Sequence, residues 1–160
     1  MERDCCFEPD GFWFRYRAAA IIIEEGCVLM AYNGEEDYYY CVGGGVHLGE
    51  TSRDAVLREV KEETGIEYEV ERFAFVNESM YYGNGNLSGK ECHVIEFFYL
   101  MKPKGHKFAL HSRGGGMAEE CLRWLPLEEV QNNPKVFPIF FREKLSELPG
   151  EVMHFIQDER

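Results

Sequence analysis

Three glutamates, Glu59, Glu62 and Glu63, follow a glycine triplet at residues 43–45 and lie in one predicted helix. Their spacings of three and four residues place the three carboxylates on one side of that helix, where like charges repel. Three arrangements can offset this repulsion: a solvated acidic face, a set of salt bridges, or a bound cation. Carboxylate clusters of this kind suit the hard cations Mg²⁺ and Mn²⁺, which take oxygen ligands.

The residues around these acids have chemistry of their own. Arg58 is next to Glu59, and its guanidinium can hold Glu50 across the intervening loop in a bidentate pair. The glycines permit backbone turns that other residues avoid, and they let a substrate or an ion approach a carbonyl closely. Three acids on a helix, taken alone, are more simply interpreted as a solvated charged face after a flexible loop. The complete spacing of the glycines, Arg58 and the acids favours a metal site instead.

The spacing from Gly44 to Ile66 is Gly-x5-Glu-x7-Arg-Glu-aliphatic-x-Glu-Glu-x-Gly-aliphatic, which matches the Nudix box at every position. The chain therefore resembles the Nudix hydrolase superfamily. The strands before the box and the stretch LRWLPLEEV after it are also similar to that family, so the resemblance covers most of the chain. One departure is Cys41-Val42, which stands where many members have Leu-Pro before the glycines.

The resemblance implies a fold, a reaction and a set of metal ligands. The fold is an α/β (α+β) architecture, a Nudix-like α/β/α sandwich with a mixed β-sheet. The reaction is Mg²⁺-dependent hydrolysis, with Mn²⁺ as the other candidate cation, of a nucleoside diphosphate linked to another group. By position, Glu59 and Glu63 correspond to metal ligands, Glu62 corresponds to a third ligand or a water-activating base, and the Gly43 carbonyl is a candidate further ligand.

The resemblance also implies catalytic roles. Arg58 and Glu50 correspond to the pair that braces the loop. The general base differs between members of the family, and it is either a box glutamate such as Glu62 or an acid from a later loop. Glu119 and Glu120 are the candidates for that later acid, and Glu120 is the preferred one.

Two groups of residues outside the box are candidates for contact with the substrate. Tyrosines are abundant in two strands, where they can either stack on a base or simply fill the strands; Tyr40 is the preferred one among Tyr38, Tyr39, Tyr40, Tyr81 and Tyr82. The stretch 101–117 is the one locally basic segment, and it is either a surface loop or a phosphate-binding one. Its candidate phosphate contacts are Lys102, Lys104, His106, Lys107, His111 and Arg113, of which Lys104 and Arg113 are preferred.

Local patterns predict the elements that position these residues. Thr51 and Asp54 form a capping-box pattern, an apolar stripe follows, and Gly65 ends the helix. Strands are expected at 12–26, 27–32, 38–42, 66–82 and 90–102, with a hairpin turn before residue 27. A short strand and a helix beginning at Pro126 follow, and an amphipathic last helix is expected over 138–148.

Composition limits the class of protein. The 160 residues, 45% of them hydrophobic, are expected to form a single domain, with 1–11 as a candidate flexible segment and 151–160 as a tail that is a short strand or disordered. The formal net charge of −12 disfavours binding to nucleic-acid backbones. A small anionic nucleotide is still acceptable because a bound divalent cation reverses the local field.

Cellular location and partners follow from weaker signals. No long apolar run suits a membrane span, and the acidic start lacks the features of a signal peptide. Six scattered cysteines are expected to be unpaired in a reducing, cytoplasmic environment. A homodimer is a candidate assembly because dimerisation is common in the family.

Two functions from different classes compete. The leading hypothesis is an active Nudix pyrophosphohydrolase acting on a nucleotide sugar, ADP-ribose, a nucleoside triphosphate or a similar molecule. The alternative is a catalytically silent Nudix-fold protein that binds a nucleotide or senses it for regulation. The complete set of box glutamates favours the enzyme, because a silent site has no need to keep every acid.

Overall fold

The computed structural model describes residues 3–110 and 121–160. Within these ranges the strands are β1 (Cys6–Phe7), β2 (Phe12–Ile21), β3 (Ile23–Glu24), β4 (Cys27–Asn33), β5 (Tyr38–Cys41), β6 (Gly43–Gly45), β7 (Val70–Tyr82), β8 (Glu91–Met101), β9 (Cys121–Pro126) and β10 (Met153–Asp158). The α-helices are α1 (Ser52–Thr64), α2 (Leu127–Asn132) and α3 (Phe141–Lys144), and a 3₁₀ turn spans Gly85–Leu87.

The larger sheet is mixed, in the order β1-β2-β8-β7-β10, with β6 also paired to β2. Strand β2 runs parallel to β8, β7 runs parallel to β10, and β7 is antiparallel to β8. A smaller antiparallel sheet joins β3, β4, β5 and β9. This arrangement confirms the predicted mixed sheet.

Alternate residues of β2 belong to two separate cores, because successive side chains of a strand point to opposite faces. Ala18 and Ala20 pack with the apolar residues of α1, whereas Ala19 and Ile21 pack with residues of α2 and α3. Helices therefore cover both faces of the sheet, as in the α/β/α sandwich that the resemblance implies.

Helix α1 follows the local predictions closely. Thr51 is the N-cap, and its hydroxyl accepts a hydrogen bond from the backbone N–H of Asp54 at 3.1 Å. Gly65 ends the helix in the left-handed conformation, with φ of 74°. Val56 and Val60 are fully buried on the inner face. The apolar stripe thus fixes the rotation of the helix about its axis and turns the box glutamates away from the core.

The last helix lies within the predicted range 138–148 but is shorter than predicted, because only Phe141–Lys144 is α-helical. The backbone N–H groups of Phe141, Arg142 and Glu143 donate to carbonyls three residues earlier, at 3.1, 3.2 and 3.1 Å, so residues 138–140 form tight turns and not an α-helix. Arg142 also donates to the Val136 carbonyl at 3.3 and 3.1 Å, and this holds the preceding segment as a loop.

Both ends of the described chain include strand. Cys6 and Phe7, within the candidate flexible segment, pair with Arg15 and Phe14 of β2. The tail forms β10, the strand alternative of the two expected for it, and it pairs with β7. All six cysteines are free thiols. Among the helices of the described ranges, none has the length and apolar character needed to cross a membrane.

Candidate active site

Arg58 joins helix α1 to the loop before it. Its Nε and Nη2 donate to the two carboxylate oxygens of Glu50 at 2.9 and 3.0 Å, and Nη2 also donates to the Gly45 carbonyl at 3.0 Å. The predicted bidentate pair is therefore present. The Arg58 guanidinium lowers the pKa of the Glu50 carboxyl below its ordinary value. Arg58 Nη1 donates to Glu59 Oε1 at 2.5 Å, so one side chain orients both acids.

Glu59 and Glu63 both lie against the glycine strand β6. The Gly43 N–H donates to Glu63 Oε1 at 3.2 Å. At Gly44, an added Cβ would lie 2.4 Å from the carboxyl carbon of Glu59, well inside van der Waals contact. Gly44 therefore lacks a side chain where the Glu59 carboxylate lies, and this explains why the box needs glycine at that position.

Replacing Gly44 with alanine is expected to lower turnover by about 10²-fold, because the new methyl group displaces the Glu59 carboxylate. The clash involves the far end of a flexible side chain, so the melting temperature should change little. Steady-state kinetics and thermal unfolding measure the two effects. Gly150→Ala is the matched control, since an added Cβ meets nothing there. Wild-type turnover in Gly44→Ala would contradict the proposal that the Glu59 carboxylate, placed against Gly44, takes part in catalysis.

Glu62 lies on a more exposed side of α1 than the other two acids. Its side chain is 59% exposed, and Arg58 Nη1 lies 3.4 Å from its Oε2. In the part of the chain that the structure describes, no three His, Cys, Asp or Glu side chains converge tightly enough to hold a metal ion as they stand. The donor set nevertheless fits a hard cation, because the carboxylates of Glu59 and Glu63 and the Gly43 carbonyl all offer oxygen.

Arg17 and Glu96 form a second centre that the sequence reasoning missed. They make a salt bridge between β2 and β8, with side chains only 12% and 13% exposed. Arg17 Nη2 also donates to the carbonyls of Cys41 and Gly43, at 2.7 and 3.1 Å. The ion pair is thereby tied to the glycine strand, next to the acids of α1.

Burial and the neighbouring groups act on the pKa of Arg17 in opposite directions. Burial by itself would lower this pKa, but Glu96, Cys41 and Glu63 together raise it above its ordinary value. A signal for the pair does exist in the sequence. Glu96 lies among the apolar residues of β8, and Arg17 directly precedes the apolar end of β2, where a buried charge requires a partner.

The substrate candidates fall in different places. Tyr40 lies near the site, with its ring centroid 5.7 Å from the guanidinium carbon of Arg17. Lys104 instead contacts the end of strand β3, because its backbone N–H donates to the Glu24 carboxylate at 2.5 Å. The Nζ of Lys104 lies 5.0 Å from the ring centroid of Tyr68. Among the described residues, no hydrogen bond joins Lys104 to helix α1. Arg113, Glu119 and Glu120 lie outside the described residues.

The Glu24 carboxylate explains the position of Lys104. Glu24 is buried, and it accepts hydrogen bonds from the N–H groups of Lys104 and Gly105 and from the Tyr68 hydroxyl. The start of the basic stretch is therefore attached to the β3–β4 hairpin. This long-range contact has no local sequence signature.

The arrangement brings opposite charges to one short strand. Carboxylates approach Gly43 and Gly44 from α1, and guanidinium groups approach Gly43 and Gly45 from β2 and α1. Oxygen donors of this kind can hold a divalent cation, and guanidinium groups can bind phosphate oxygens. The site can thus combine a cation with a phosphate-bearing ligand.

The comparisons with known proteins agree with this geometry. The family profile described as NUDIX domain matches residues 13–144. No curated protein matches the chain. Many solved structures are similar in fold, and three of them, each at 20% identity or less, support the fold alone.

These three structures come from two bacteria and one archaeon. A MutT protein from Bacillus halodurans has a TM-score of 0.62 at 17% identity, covering 91% of this chain and 91% of that one. The dihydroneopterin triphosphate pyrophosphohydrolase of E. coli has a TM-score of 0.57 at 18% identity, covering 81% and 92%. A MutT protein from Methanosarcina mazei Go1 has a TM-score of 0.56 at 20% identity, covering 81% and 88%.

Proposed function

The chain belongs to the NUDIX domain family of hydrolases that act on phosphorus-containing acid anhydrides, and on that premise we propose that it is a Mg²⁺-dependent pyrophosphohydrolase. Its substrate would be a nucleoside diphosphate linked to another group. The observation that carries the proposal is the approach of Glu59 and Glu63 to the glycines of β6, beside the guanidinium groups of Arg17 and Arg58.

The ligands for the cation would come from the acid helix and the glycine strand. Glu59, Glu63 and the Gly43 carbonyl would hold Mg²⁺ or Mn²⁺, with Glu62 as a third ligand. The bound cation would neutralise the diphosphate and lower the pKa of a coordinated water.

The protein's own residues orient the reactants and move the proton. Arg58 would hold Glu59 in place through its Nη1 contact, while its pair with Glu50 fixes the loop. A carboxylate would take the proton of the attacking water, and Glu62 and Glu120 are the candidates. Attack at one phosphorus then expels the other phosphate.

Binding of the substrate involves further residues. Arg17 donates to the carbonyls of Cys41 and Gly43 in the strand beside the acids, and we expect its positive charge to favour a phosphate bound next to that strand. Tyr40, beside Arg17, is the candidate for contact with the base or ribose. Lys104 and Arg113 are the candidates from the basic stretch. The six free thiols favour a reducing, cytoplasmic location.

Phosphate release from a substrate panel tests the proposal. The panel contains ADP-ribose, nucleoside triphosphates, dinucleoside polyphosphates and nucleotide sugars, each assayed with Mg²⁺, with Mn²⁺ and with chelator. We expect cleavage of at least one class, with loss of activity in chelator. Binding without cleavage of any member would favour the silent nucleotide-binding alternative.

A further inference from the structure

The N-terminal segment, residues 3–7, runs along the loop that joins the glycine strand to α1. The Cys5 N–H donates to the Val46 carbonyl at 2.7 Å. In the other direction, the Leu48 N–H donates to the Arg3 carbonyl at 2.7 Å. The segment therefore pairs with the loop through backbone bonds in both directions. The match to the family profile begins only after this segment, so family membership alone does not predict these contacts.

The Asp4 carboxylate occupies the space that a side chain at Gly45 would need. A Cβ added at Gly45 would lie well inside van der Waals contact, and the three atoms nearest to it all belong to the Asp4 carboxylate. Gly45, unlike Gly43, does not have a positive φ, so its own backbone conformation would accept alanine. The lack of a side chain at Gly45 therefore makes room for Asp4.

Asp4 is also the first member of a series of charged groups that ends at the acid helix. Its Oδ1 lies 3.4 Å from Nε2 of His47, whose backbone N–H donates to Glu50 at 3.0 Å. Glu50 is the bidentate partner of Arg58, and Arg58 in turn donates to Glu59. Asp4 is thus linked through these residues to the carboxylate that would hold the cation.

Contacts with strand β2 fix the position of Asp4. Its Oδ2 lies 3.7 Å from Nη2 of Arg15, and the neighbouring Cys5 carbonyl accepts a hydrogen bond from the Tyr16 N–H at 3.0 Å. The Asp4 side chain is 42% exposed, and ion pairs at such positions contribute little to the stability of a fold. The contacts of Asp4 therefore matter more for the placement of the loop than for stability.

We infer that Asp4 is a positioning residue of the active site. It fixes the loop beside the glycine strand and, through His47 and Glu50, the guanidinium group that orients Glu59. This inference rests on the proposed function, because the orientation of Glu59 affects catalysis only if this carboxylate holds the cation. Residues that orient metal ligands from outside the coordination sphere commonly affect metal affinity and turnover together.

Replacing Asp4 with alanine is expected to lower kcat and the affinity for Mn²⁺, measured by calorimetry, by roughly 10-fold each, with KM for the substrate nearly unchanged. Asp4→Asn keeps an oxygen that can face His47 and should recover most of the loss. A purely structural role would lower the melting temperature and leave kcat of the folded protein unchanged. Glu8→Ala is the control, because Glu8 follows the segment and pairs with Lys90. Its kcat should equal the wild-type value.

A double-mutant cycle tests the contact between Asp4 and Gly45. The methyl group of Gly45→Ala would displace the Asp4 carboxylate, so this variant should lose about as much turnover as Asp4→Ala. In the Asp4→Ala background the space is vacant, so Gly45→Ala should cause no further loss. Hydrogen exchange at the Leu48 amide, which bonds Arg3, should be faster in both single variants. Equal losses from Gly45→Ala in both backgrounds would contradict the inference.

The outcomes separate this inference from the proposed function. Metal-dependent turnover that is unchanged in Asp4→Ala overturns the inference alone. Binding of Mn²⁺ that weakens in Asp4→Ala, without cleavage of any substrate in the panel, supports the inference and overturns the proposed activity. A protein that shows neither cleavage nor Mn²⁺ binding dependent on Asp4 overturns both.

Discussion

Replacing Glu63 with glutamine is expected to lower metal-dependent turnover by roughly 10²- to 10⁴-fold while the fold stays intact. Glutamine keeps the size of the side chain and an oxygen that can accept the Gly43 N–H, which lies 3.2 Å from Glu63 Oε1. It removes the negative charge that would hold the cation. Glu62→Gln should have a comparable effect if Glu62 is a ligand or the base.

Steady-state kinetics across a Mg²⁺ titration, together with thermal unfolding, measure this effect. Glu67→Gln is the matched control, because its carboxylate is 78% exposed and pairs with Lys61 outside the glycine strand. Turnover in that control should remain near the wild-type value. Unchanged turnover in Glu63→Gln or Glu62→Gln would count heavily against the proposed roles of these acids.

Replacing Glu96 with alanine is expected to lower the free energy of unfolding by about 3–5 kcal/mol, because it leaves the Arg17 guanidinium buried without its counter-ion. Arg17 also holds the Gly43 carbonyl, so the variant should lose activity as well as stability. Glu96→Gln keeps the shape and a hydrogen-bond acceptor, and it should lose less stability.

Urea denaturation at neutral pH measures the change. Glu91→Ala provides the control from the same strand, since Glu91 pairs with Arg160 in a partly exposed bridge and such pairs contribute little. If Glu96→Ala were no less stable than Glu91→Ala, the buried pair would not support the site. Retained activity in Glu96→Ala would show that the contact between Arg17 and the Gly43 carbonyl is not needed for catalysis.

Local patterns were enough to predict the acid helix and its brace. Capping by Thr51 and termination at Gly65 depend on side chains within one turn of the helix end. The pair between Arg58 and Glu50 spans only eight residues and follows from the loop that joins them. These features involve residues close together in the chain, so the local order of residue types is sufficient to predict them.

Long-range contacts were beyond such reasoning. Arg17 and Glu96 are 79 residues apart, and Lys104 and Glu24 are 80 apart. Their pairing depends on which strands are neighbours and in what register, and a single sequence does not encode that in any local pattern.

The sequence by itself determined the family, the acid helix and the oxygen donors at the glycine strand, because all of them lie within residues 43–66 and depend on spacing along one chain. Tertiary structure alone decided that β2 and β8 run parallel in a register that sets Arg17 beside Glu96. The physical reason is burial: a charged group inside a sheet is stable only when strands from distant parts of the chain bring its partners.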